Sequence, residues 1–164
     1  PPEGTIDAPI ARHPRSRQRM GIVVGGRHAS THYRTLRLFK GFVPNTPQRR
    51  GRRAVLHQAV VVGTKKSFAL LEVRPHTGRT HQIRVHLASV GHPLVGDAVY
   101  GKKSDLVGRH FLHANRLGFL HPVTEEWLEV RSELPPELDG ALSALDSREA
   151  ERGVVESRAR GGAR

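Results

Sequence analysis

Residues 74–97, RPHTGRTHQIRVHLASVGHPLVGD, set the hardest condition on the fold. The stretch reads as a turn, a short amphipathic helix and a second turn. The helix carries His81, Arg84 and His86 among its apolar residues, and Arg74 and Arg79 lie just before it. Thr80 is the expected N-cap and Gly91 the expected C-terminal stop. At about 100° per residue, Ile83, Leu87 and Val90 fall in one narrow arc, which predicts a packed side. Arg84 lies roughly 80–100° from the middle of that arc, at the edge of the buried face. A guanidinium there either snorkels to water or meets a carboxylate, and it suits the orientation of an acidic catalytic group or a phosphate.

The rest of the chain reads as strands. GTIDAPIARHP (4–14) is extended, MGIVVGG (20–26) is a short strand closed by a glycine turn, and STHYRTLRLF (30–39) has high strand propensity. KGFVPNTPQRRGRR (40–53) is a loop rich in Pro, Gly and Arg. AVLHQAVVVG (54–63) and SFALLEVRP (67–75) form two strands around the turn GTKK. Residues 91–101 are a run of turns, and 108–122 form a short helix or a strand. EEWLEVRSELPPEL (125–138) is a final strand stopped by Pro-Pro. Strands in succession with one central helix predict an α+β fold on a mixed sheet. The division expected is a folded body over 1–138, then a short helix and disordered tail over 139–164.

Charge narrows the partner. The formal charge is +12, and residues 1–135 hold 22 basic against 9 acidic side chains. A folded body this basic points to a polyanion, nucleic acid before anionic membrane. Cysteine is absent, which excludes disulfides and thiolate chemistry. No apolar run approaches the roughly 18 residues of a membrane span, and the expected location is the cytoplasm. His81 and His86 sit about 140° apart on the wheel and do not converge on one ion. His110 and His113 have closer to ligand spacing but lack a paired carboxylate motif, so no metal is expected. These histidines either donate to phosphates or fill polar niches in the core. Asp97, after Gly96, reads as the former of an Asx turn. The phosphate-loop, dinucleotide and serine-elbow fingerprints are all missing.

One long ungapped segment, LLEVRPHTGRTHQIRVHLASVGHPLVGDAVYG (70–101), resembles the C-terminal motif of the RluA-type pseudouridine synthases. GTIDAPIARHP, ASTHYRTL (29–36), RHFLHANRLGFLHP (109–122) and LP (134–135) follow in the family's order, so the resemblance spans residues 4–135. The Arg-rich stretch around 44–53 looks like an insertion. The resemblance implies a largely antiparallel catalytic sheet that acts on a flipped uridine of structured RNA, rRNA before tRNA, without cofactor or metal. An aspartate attacks, the glycosidic bond breaks, and the base is rejoined through C5. Arg84 matches the arginine that pairs with that aspartate. Arg74, Arg79, Thr80, His81, Gln82 and His86 are implied as pocket wall and RNA contacts.

The family's nucleophile lies in an HRLD-type segment, which these 164 residues do not contain. Neither Asp7 nor Asp97 is at a matching position. The expectation is therefore the C-terminal portion of a catalytic domain, inactive alone, monomeric in its full form, with Arg84 deprived of its partner and strand edges exposed. The alternative is an RNA-binding module that has lost the chemistry.

Overall fold

A computed structural model describes residues 2–39, 55–63 and 67–147, with side chains of the second segment from 58 onward. The expected loop over 40–53 and the tail beyond 147 lie outside these residues. The strands are β1 (Glu3–Asp7), β2 (Ile10–His13), β3 (Ser16–Ile22), β4 (Ser30–Leu38), β5 (Val55–Gly63) and β6 (Phe68–Pro75). Helix α1 (Gln82–Ser89) follows, then β7 (Leu112–Leu120) and β8 (Trp127–Arg131). Six strands form one sheet in the order β1-β4-β6-β5-β7-β8, and β2 pairs with β3 as a separate ribbon. Every described pairing is antiparallel. The α+β class is as expected, and segment 108–122 resolves as the strand β7.

The valine run of β5 shows how the sheet is covered. Val60 and Val62 point into a core with Leu71, Val73, Ile83, Leu87 and Leu94, under α1. Val61 points the other way, into a core with Phe39, Phe111, Leu138, Ala141 and Leu145. Alternate side chains leave opposite faces of a strand, so an unbroken apolar run marks a strand buried on both sides. The second cover is a helical run over 136–147. It begins after Pro135 and supplies Leu138, Ala141 and Leu145, so the expected boundary at 138/139 falls inside a packed element. The sheet's described edges are β1 and β8. The side chains of β8 are all exposed, and Glu129 links Arg116 and Arg131 along that edge, which discourages strand addition.

Helix α1 is buried on more sides than the wheel predicts. Ile83 and Leu87 enter the first core, while Val85 packs with Ile10 and Ala29 in a third cluster. Val90, expected in the packed arc, is 48% exposed. The N-cap is His81 rather than Thr80; its backbone is left-handed at φ 56°, and it makes no side-chain cap bond. Gly91, at φ 83°, ends the helix as expected, with its N–H on Ala88 O and that of His92 on Leu87 O.

Gln82 and His86, implied as RNA contacts, are enclosed in the fold at 4% and 0% exposure. Gln82 Nε2 donates to Ser30 O and Thr31 Oγ1, both at 2.9 Å. Its Oε1 accepts from Thr77 Oγ1 at 2.7 Å and from the Arg79 N–H at 2.9 Å. Ala8 O can only accept, so His86 Nε2 (3.0 Å away) carries a proton and Nδ1 accepts from Thr31 Oγ1 at 2.8 Å. Every group in this chain is satisfied, and together they tie the turn before α1, β4 and the β1–β2 connection to the helix. The niche reading of His86 is the one the structure takes, because a phosphate cannot reach it.

Burial lowers the His86 pKa against the smaller upward pull of Ala8 O and Asp7. The unfolded chain takes up this proton as pH falls through about 6.5 while the folded chain resists it, so the contribution to stability is full above that pH. It is lost as pH falls on through the folded value. Urea unfolding should show declining stability from neutral pH downward, with a smaller decline in His86→Gln. Thr31→Val should cost about 1–3 kcal/mol by stranding Gln82 and His86. Equal acid sensitivity in His86→Gln and the parent would contradict this assignment.

Candidate active-site face around Arg84

The carboxylate that Arg84 needs is inside the chain. Arg84 Nε donates to Asp97 Oδ2 and Nη2 to Oδ1, both at 2.8 Å, a parallel two-bond pairing. The Arg84 side chain is 12% exposed and that of Asp97 is fully covered. The expectation that Arg84 lacks a partner is thus corrected: helix and following loop close on each other through this pair. Asp97 also accepts the N–H groups of Val99 and Tyr100 on Oδ1, at 3.0 and 3.1 Å. It is therefore the turn former read from the sequence and the counter-ion of Arg84 at once. Burial alone would raise its carboxyl pKa, but the bonds from Arg84, Tyr100 and Val99 outweigh that and hold it below the ordinary value.

The loop that presents Asp97 is stitched to the sheet. The Val95 N–H donates to Val61 O, and that of Phe111 to Val95 O, both at 2.8 Å. Gly96 then turns at φ 77°, and a Cβ there would lie 2.2 Å from Arg109 O. Only glycine combines that dihedral with that approach.

Tyr100 gathers the remaining groups. Its ring lies 4.9 Å from the Arg84 guanidinium carbon and 5.2 Å from that of Arg19 on β3. Its Oη accepts the Met20 N–H at 2.9 Å and shares a second hydrogen bond with His81 Nδ1, also at 2.9 Å. Partial burial, then the Arg84 cation, lower the His81 pKa and favour the neutral imidazole. The left-handed His81 backbone is strain of the kind that collects at functional positions. His110 is half-buried near the same pair, its pKa lowered by burial first and by Arg84 second. His113 instead faces Ser132 O at 3.2 Å, so the two histidines do not converge.

The other sequence-derived residues are dispersed. Arg79 is spent on structure, its Nε donating to His28 O at 2.9 Å. Arg74 Nη2 bonds Glu72 Oε2 at 3.1 Å, on β6. Thr80 is exposed beside His81. What the fold brings together is Arg84, His81 and the neighbouring Thr80. It adds Asp97, Tyr100, His110 and Arg19, none of which the sequence reading placed in the site. Asp97 was visible there only as a turn residue, 13 positions from the arginine it holds.

Arg84 Nη1 has no partner among the described residues and is not sealed from solvent. The face therefore offers one fixed guanidinium N–H edge and the free Nε2 of a neutral imidazole, with a tyrosine ring beneath the arginine. It suits recognition of a carboxylate or another anion beside a planar group.

Known proteins give this face a context. The chain is 45% identical over 151 residues to an uncharacterized RNA pseudouridine synthase of Chloroflexus aurantiacus, covering 90% of the chain and 40% of that protein. It is 36% identical over 145 residues to the ribosomal large subunit pseudouridine synthase D of Zymomonas mobilis, covering 83% and 38%. Among solved structures, human RNA pseudouridylate synthase domain containing 1 superposes with a TM-score of 0.58 at 27% identity, over 86% of this chain and 53% of that one. The chain thus spans about 40% of the length of the curated relatives it matches. Residues 1–89 match the RNA pseudouridylate synthase family, and the chain belongs to that family.

Proposed function

We propose that this chain is the arginine-bearing portion of a cytoplasmic, monomeric RNA pseudouridine synthase that isomerises uridine in structured RNA, rRNA before tRNA. The observation that carries the reading is the state of Arg84. Asp97 fixes the guanidinium plane through Nε and Nη2, and Nη1 stays uncommitted. That geometry suits a second carboxylate, the nucleophilic aspartate of the family pattern, which the 164 residues do not include in HRLD form. Three relatives that carry the name ribosomal large subunit pseudouridine synthase D favour rRNA as the substrate.

In this reading the aspartate is brought to Arg84 by residues outside the chain, and Arg84 keeps it ionised and oriented for attack. His81 Nε2 and Thr80 border the space for the extruded base. The step to be served breaks the N1–C1′ bond, forms C5–C1′, releases the C5 proton and leaves a proton on N1. No described side chain other than Asp97 supplies a carboxylate to Arg84, and Asp97 is covered and fully engaged. The chain alone is therefore inactive.

Tritium release from RNA labelled at C5 of uridine tests this. The chain alone should release none. A fusion carrying the preceding segment of the Chloroflexus relative should release it, and Arg84→Ala in that fusion should reduce release by at least about 100-fold, the order of losing one preorganised electrostatic group. Release by the chain alone would contradict the reading. A fusion that folds and binds RNA but stays silent would favour a non-catalytic RNA-binding module.

A further inference from the structure

Isomerisation of uridine ends on a carbon acid. Once C5 is joined to C1′, C5 still carries its hydrogen, and N1 is doubly bonded to C6. Flanked by the C4 carbonyl and that C=N bond, the C5–H is acidic enough for an imidazole to remove. The acceptor has to be neutral, held in place and free at one nitrogen or oxygen.

Around Arg84 the described residues offer few such groups. Asp97 is covered, with both oxygens engaged. His86 is sealed in the fold with both ring nitrogens bonded. His110 is half-buried near Arg84, but no hydrogen bond to another described residue holds its ring. His81 differs from all three. Its Nδ1 lies 2.9 Å from Tyr100 Oη, and its ring stands at 79° to the tyrosine ring, with centroids 5.6 Å apart. Its Nε2 has no partner among the described residues. The Arg84 guanidinium carbon lies 4.9 Å from the centre of the same tyrosine ring. One side chain thus holds imidazole and guanidinium in a set relation. Burial, then Arg84, lower the His81 pKa against the upward pull of Asp97, which favours the neutral ring that a base requires.

We infer that His81 Nε2 is the base that accepts the C5 proton. The inference rests on the synthase reading above and names the group that completes its last step. In this role Nδ1–H donates to Tyr100 Oη, which can accept both it and the Met20 N–H, and Nε2 presents its lone pair. As the C5–H bond breaks, its electron pair becomes the C5=C6 double bond. The C6=N1 pair moves onto N1, which takes a proton from water, and the His81 imidazolium returns its proton to water. Tyr100 is a positioning residue, acting through His81.

The test uses the fusion with the preceding segment of the Chloroflexus relative and two RNA substrates. One carries tritium at C5 of uridine. The other carries 5-fluorouridine, whose fluorine cannot leave as a cation, so its reaction stops after the C5–C1′ bond forms and needs no base. His81→Asn suits the left-handed backbone and removes the imidazole. It should lower tritium release by at least about 100-fold. It should still rearrange 5-fluorouridine at close to the parent rate, read by chromatography of the digested RNA. Deuterium at C5 should slow this variant more than the parent, because C5–H cleavage has become the slow step. Tyr100→Phe, which loses the anchor of Nδ1 but keeps the ring, should show the same split to a smaller extent. Equal loss on both substrates, or loss on neither, would overturn the assignment and leave the synthase reading standing. A split in His110→Asn but not in His81→Asn would overturn it in favour of His110. Silence of the parent fusion on both substrates would overturn the synthase reading and this inference with it.

Discussion

A guanidinium at the border of a buried helix face must find a carboxylate or leave the fold, and Arg84 finds Asp97. Much of the surrounding backbone serves that meeting. The 94–97 segment is bonded to the end of β5, Gly96 takes a dihedral and a close approach that only glycine tolerates, and Asp97 spends its remaining capacity on the next turn. The pair is almost dry, so losing either member would leave the other charged and unsatisfied. A buried pair of this kind is poor evidence of extra stability but good evidence of a fixed geometry. What it fixes is the direction of the one guanidinium nitrogen left over.

Around that nitrogen the chain builds in two layers. Beneath lies a neutral network of Gln82, Thr31, His86 and Thr77 that locks α1 to β4. Gln82 and His86, which the family resemblance implies as RNA contacts, are struts in this network. Above lie Tyr100 and His81, joined by a hydrogen bond at the same hydroxyl that accepts the Met20 N–H of β3. The ribbon, the helix and the turn after it therefore meet at one tyrosine hydroxyl.

Much of the architecture was legible in the residues. Strand propensity and turn chemistry located the strands, and the glycine at 91 located the end of α1. The wheel placed Arg84 at the edge of the buried face, where it sits. It misjudged Val90 and gave no sign that His86 is buried, because periodicity assumes one buried side, whereas α1 packs against the sheet and the ribbon together. Thr80 had the composition of a cap, but the Gln82 side chain captures the Arg79 N–H from within the helix and the chain enters through a left-handed His81 instead. Asp97 was weighed as a turn former, and nothing in a linear reading shows that the same carboxylate also reaches Arg84.

The measurement that reaches furthest is a double-mutant cycle on Arg84 and Asp97 in the 164-residue chain, by urea unfolding. Each of Arg84→Ala and Asp97→Ala should cost about 3–5 kcal/mol, since each leaves a buried charge alone. The double variant should cost less than the sum, by a coupling on the order of 2 kcal/mol. Single costs below about 1 kcal/mol that simply add would contradict the pairing. Arg84 would then not be held by its own chain, and the site would have to be assembled entirely from outside it.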